Sequence, residues 1–130
     1  MTDGSTDGLT DSAALAHELD RVADRLRVIG PRYAARNTPE AAAALDGVRA
    51  AIQRLADLAA DAEGIAHRPV PRLAPHALAD QVLVLGHDLL AAACSKAEEP
   101  GEEPTAERPT PEQPALSAGH ALLVELRRAL

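Results

Sequence analysis

The chain has 130 residues, room for one domain with a single core. Its net charge of −7 is unevenly spread: Asp3, Asp7 and Asp11 stand without a base in residues 1–11, six glutamates face only Arg108 in residues 97–114, and the remainder is close to neutral. With no Phe or Trp and Tyr33 as the only aromatic, nucleic acid is excluded as an expected partner, because duplex binding needs a basic surface and single-strand binding needs stacking rings.

The dominance of Ala and Leu predicts helices packed closely through small residues instead of large aromatic anchors. The N-terminus, MTDGSTDGLTDS, lacks the basic and apolar regions of a signal peptide. No uncharged apolar run reaches the roughly 18 residues that would suggest a membrane span. Cys94 is the single cysteine, so no internal disulfide forms and a reducing compartment suits the chain. A soluble, cytoplasmic protein without a membrane partner is the expectation.

In chain order, residues 1–11 read as a disordered acidic tail, and residues 12–130 as one helical domain. The first helix is expected over about 12–36. There Leu15, Leu19, Val22, Leu26, Ile29 and Tyr33 recur with the 4-3-4-3-4 spacing of a bundle seam. Thr10, Asp11 and Ser12 offer caps. Pro31 predicts a kink near Arg27 or a break, since proline removes one helical hydrogen bond and collides with the preceding turn. On this helix Arg21, Arg25, Arg32 and Arg36 fall at about 240–300° from Leu15, a basic stripe beside the seam. Such a stripe could hold an acidic partner, a phosphate or the chain's own Glu-rich segment. The competing reading, preferred here, is a rim of weak ion pairs with Asp57 and Asp61 across an antiparallel helix pair.

The second helix, 39–64, opens at Thr38-Pro39-Glu40, a cap followed by proline at the first helical position, and closes at Gly64. Leu45, Val48, Ile52, Leu55 and Ala59 form its seam. Then Pro69, Pro71 and Pro75 forbid a helix over 67–74 and make that turn stiff. A third helix is expected over 75–97, with Leu78, Val82, Leu85 and Leu89 on one side. Residues 98–114, EEPGEEPTAERPTPEQP, are almost devoid of apolar side chains and read as a disordered acidic Pro/Glu-rich linker. A shorter fourth helix, 115–130, carries Leu116, Leu123, Leu126 and Leu130 on one stripe, with Arg127 and Arg128 suited to its C-terminal dipole. The fold class is therefore all-α: an antiparallel bundle of three long helices, joined by a shorter C-terminal helix after the linker.

No catalytic constellation emerges. GxSxG, P-loop, GxGxxG and HExxH patterns are all missing from the sequence. His76, Asp80 and His87 share a helix face, yet only the first two are close enough to chelate one ion, and an exposed polar face is the expectation; no metal and no cofactor are predicted. Helical spacing places no base beside Cys94, which reads as a spectator thiol. Leu83, Val84 and Leu90 lie outside the Leu78 stripe, so the third helix is either central in its fold or part of an interface. The function expected is that of a small non-catalytic helical interaction protein, which self-associates as a homodimer or binds a protein partner through a helical face. The alternative is a small-molecule- or metal-responsive binding protein with its ligand between helices near Tyr33, His76 or His87.

Overall fold

A computed structural model describes residues 4–97 and 112–130, with side chains described for 11–94 and 114–130. The elements are α1 (Gly4–Arg36), α2 (Pro39–Glu63), a single 3-10 turn at Pro75–Ala77, α3 (Leu78–Ala97) and α4 (Glu112–Ala129), and there is no strand among the described residues. The all-helical class expected from the periodicity is the class observed.

The helix boundaries differ from expectation in instructive ways. α1 begins at Gly4 instead of near residue 12, inside the segment read as a tail. A helix already nucleated by packed residues extends readily, because each added residue is fixed in exchange for a full hydrogen bond. Pro31 lies inside α1 without breaking it. Ile29 is buried before it and Tyr33 is half-buried after it, so packing on both sides holds the helix across the lost bond. α4 starts at Glu112, so the last three residues of the expected linker are helical, and residues 98–111 lie outside the described residues. Pro114 falls in the first turn, where a missing N–H leaves no helical bond unmade.

The predicted caps of α2 are formed. Thr38 Oγ1 accepts from the Ala41 N–H at 3.2 Å. Gly64 adopts the left-handed φ of 75°, which only glycine takes without steric cost, and the Ile65 N–H returns to the Ala60 carbonyl at 2.9 Å.

All four helices contribute to one core. Leu15, Leu19, Leu26, Ile52, Leu55, Leu78, Leu89 and Leu123 are its largest fully buried side chains. α3 packs extensively on both α1 and α2, and α4 also touches both, whereas α1 and α2 meet only sparsely. Close approach of α1 to α3 depends on Gly86: a Cβ there would lie 2.1 Å from Leu19 Cδ2. By length and composition the stretch Pro75–Cys94 is apolar enough to cross a membrane, but its Leu78, Ala79, Val82, Leu89, Ala92 and Ala93 are buried against the other helices. That is the pattern of a core helix, even though Asp80 and Asp88 keep it charged on its outer side.

α4 is held by more than its leucines. Leu116, Leu123 and Leu126 are buried, and Arg127 Nε donates to Oε1 of Glu18, a glutamate only 4% exposed on α1. Periodicity alone did not single out Glu18, because it sits one position before the seam residue Leu19. A buried carboxylate needs a partner, and α4 supplies it.

Two expected outcomes follow from this packing. Gly86→Ala destabilises the fold by roughly 1–3 kcal/mol in chemical denaturation, since overpacking outweighs the better helix propensity of alanine. Arg127→Leu strands the Glu18 carboxylate and costs about 2 kcal/mol or more, while the double replacement Glu18→Leu with Arg127→Leu recovers most of that loss; a double variant as unstable as the single would show that the pair itself is not what matters.

Candidate functional site

The segment between α2 and α3, residues 65–74, has no helical or strand hydrogen bonds of its own. Pro69 and Pro71 lack N–H groups and Pro75 follows directly, so the segment cannot close helical bonds and its carbonyls are left to other donors. Side chains from α2 and α3 meet them. Gln53 Nε2 donates to the Arg68 carbonyl at 2.9 Å, and Gln53 Oε1 accepts from the Val70 N–H at 2.8 Å, so one side-chain amide pairs with the segment much as a neighbouring strand would. Gln81 Nε2 donates to the Pro71 carbonyl at 2.9 Å, and Arg49 Nη2 to the Leu73 carbonyl at 3.2 Å. Val70 turns inward and packs against the core. The stiff turn expected from the prolines is thus a strap, bound by glutamine and arginine.

At its start, His67 is gripped by two aspartates of α2. Its Nε2 lies 2.6 Å from Asp61 Oδ1 and its Nδ1 lies 3.7 Å from Asp57 Oδ1. Gln53 Nε2 also donates to Asp57 Oδ1 at 3.0 Å, which ties the two ends of the arrangement together. The hydrogen bond to Asp61 raises the His67 pKa above its ordinary 6.5; partial desolvation and Arg54 oppose the shift and the charge of Asp57 adds to it.

Between the strap and the two helices lies a cleft of about 350 Å³, lined by Asp46, Arg49, Gln53, Val70, Arg72 and Gln81 among others. Asp46 Oδ1 is 3.7 Å from Arg49 Nη1 and 3.8 Å from Arg72 Nη2. The Nε–H of Arg49 is buried and has no acceptor. A second depression, an open groove of about 440 Å³, runs between α2 and α4. Its α2 wall is small, with Ala43, Gly47 and Ala50, and its α4 wall is leucine-rich, with Leu122, Leu126 and Leu130; Glu125 is the one charged residue on it.

The residues singled out from sequence are distributed differently. Leu83 and Leu90 are half-buried and pack against the core, leaving Val84, 59% exposed, as the outward part of the expected apolar face. The surplus apolar surface of α3 is absorbed because α3 has helices on several sides. Arg21, Arg25, Arg32 and Arg36 are all exposed on α1, but the expected ion-pair rim with Asp57 and Asp61 does not form. Those aspartates face His67 and Gln53 instead, and α1 and α2 are too sparsely packed for the stripe to reach them. Arg25 Nη2 donates to the Leu130 carbonyl oxygen at the end of α4 (3.3 Å), where helix carbonyls lack partners, and Arg36 lies over the Tyr33 ring at 5.9 Å. Tyr33 is half-buried, whereas His76 and His87 are exposed, and none of the three lines either depression. Asp80 lies 3.7 Å from Arg27. Among the described residues no three His, Cys, Asp or Glu side chains gather at metal-binding distance.

Gln53, Gln81 and Arg49 carry no motif that would have marked them. Their only sequence signal is a polar residue beside a seam position, Gln53 after Ile52 and Gln81 before Val82. Compared with protein-family models, curated proteins and solved structures, the chain matches none.

The His67 clasp has a definite pH signature. Its folded pKa is raised, so its contribution is fully present below the unfolded value near 6.5 and is lost as pH rises through the folded value. The Tm difference between the wild type and His67→Ala is therefore expected to be larger at pH 5.5 than at pH 8.5. A difference independent of pH, or growing with pH, would contradict the clasp.

Proposed function

We propose that the chain is a non-catalytic helical interaction protein, an antiparallel bundle in which a second copy packs into the α2–α4 groove. The observation that carries this reading is Gly47. It lies in the interior of α2, where glycine is about 1 kcal/mol less favourable than alanine. A Cβ on it would meet nothing within 4 Å. The fold of a single chain therefore makes no use of the missing side chain. A helix lying across the groove would use it, because Ala43, Gly47 and Ala50 on one wall let a backbone approach closely while the leucines of α4 supply apolar area. Self-pairing suits this surface, since a twofold axis near Gly47 brings the α2 wall of each copy, Ala43, Gly47 and Ala50, against the same wall of the other. A cytoplasmic setting fits this reading, as does the free, exposed thiol of Cys94.

The α3 face named by Leu83, Val84 and Leu90 is the weaker surface, with only Val84 well exposed. Light scattering at micromolar concentration is expected to give a dimer mass for the wild type and a monomer mass for Gly47→Gln, with helix content unchanged. Gly47→Ala should raise the stability of the single chain by up to about 1 kcal/mol while weakening the dimer, because the added methyl costs nothing within one chain but intrudes on the close approach of the second copy. A wild type that stays monomeric at high concentration overturns self-association through this groove.

A further inference from the structure

We propose that the cleft under the strap binds a small organic oxyanion, a carboxylate or phosphate with a short apolar body, its negative head on Arg49 and Arg72 and its body against Ala50, Val70 and Pro71. The inference is independent of the groove between α2 and α4, which shares only Ala50 with the cleft and is apolar apart from Glu125. The cleft holds two guanidinium groups and one carboxylate, Asp46, so it carries a net positive charge. Asp46 stands 3.7 and 3.8 Å from the two arginines. Those are ion-pair separations longer than hydrogen bonds, so Asp46 takes no hydrogen bond from either guanidinium, and Arg49 spends only Nη2, on the Leu73 carbonyl.

The second observation is the Arg49 Nε–H, buried without an acceptor. A buried orphan donor is costly to a fold and is rare without a reason. An oxyanion in the cleft supplies the acceptor once the Arg49 side chain shifts to turn its buried edge outward, since carboxylate and phosphate oxygens match the fork of a guanidinium. Arg49 is fixed from its other end by the Leu73 carbonyl. Arg72, whose side chain is 75% exposed, is free to swing onto a ligand. The glutamines complete the site indirectly: Gln53 and Gln81 spend their amides on the strap and so hold Val70 and Pro71 in place as its apolar wall. At about 350 Å³ the cleft lies at the small end of ligand sites, which limits the ligand to a short body.

The test is a titration of the full chain at low ionic strength, followed by calorimetry and by backbone amide NMR, with inorganic phosphate, butyrate and neutral butyramide as probes. Saturable binding of at least one anion is expected, with shifts at Val70 and Gln81 and none from butyramide. Preference for butyrate identifies a carboxylate head, and preference for phosphate a phosphoryl head. Arg72→Gln, an exposed change that leaves the core intact, should weaken binding about tenfold or more, as loss of a charge-assisted contact does. Arg49→Lys, which keeps the charge and removes the Nε–H, should weaken it as well, with an unchanged far-ultraviolet spectrum showing that the helices persist. Arg25→Gln, on the α1 stripe, should have no effect. Absence of saturable binding by either anion at tens of millimolar overturns the proposal. So does an affinity that Arg72→Gln leaves intact, or one that Arg25→Gln abolishes.

Discussion

Leu19 occupies the space that a side chain at position 86 would need, and the close approach of α1 to α3 depends on that space being free. Much else depends on it. With α3 drawn against α1 and also packed on α2, the two helices that are consecutive in the chain meet only sparsely. A core built almost wholly from Leu, Val, Ile and Ala requires such closeness, because it lacks aromatic rings large enough to bridge wider gaps. α4 then covers the remaining side, and the Glu18–Arg127 pair ties its position to α1. Hydrophobic stripes tolerate sliding by a turn; a buried charge with one partner does not, so the pair specifies where α4 sits as well as contributing to how firmly it sits.

Proline shapes the connection between α2 and α3 through what it lacks. Pro69 and Pro71 interrupt the run of N–H groups and fix the local backbone, so the segment joins neither a ladder nor a helix and its carbonyls find donors elsewhere. Side-chain amides and a guanidinium from two different helices provide them, and Val70 anchors the middle against the core. The consequence is an ordered wall of extended chain facing two arginines and one aspartate. A polar cleft arises there because the groups that bind the strap are themselves polar and cannot be withdrawn into the core.

The molecule thus carries two depressions of opposite character on the two sides of α2. One is apolar and open, with small residues on α2 facing leucines on α4. The other is charged, with Asp46, Arg49 and Arg72 around it. α2 serves both because the residues flanking its buried Leu45, Val48, Ile52 and Leu55 differ: small ones, Ala43, Gly47 and Ala50, border the groove, and long polar ones, Arg49 and Gln53, border the cleft. Neither surface relies on the exposed histidines of the 3-10 turn and α3.

What the sequence determined by itself is local and periodic. The helical class, the seams from Leu15 to Tyr33 and from Leu45 to Ala59, the Thr38 cap and the Gly64 stop are all legible, because each depends on residues within a few positions of one another. The proline turn was legible as stiff for the same reason. Tertiary structure alone decided which helices are neighbours, and with that the fate of the arginine stripe, the burial of Leu83 and Leu90, and the pairing of Glu18 with Arg127 across 109 positions. It also decided that Gln53, Gln81 and Arg49 meet the strap. A polar side chain beside a seam looks the same in sequence whether it faces water or a carbonyl many residues away, and only the packed arrangement of the helices brings one partner to the other.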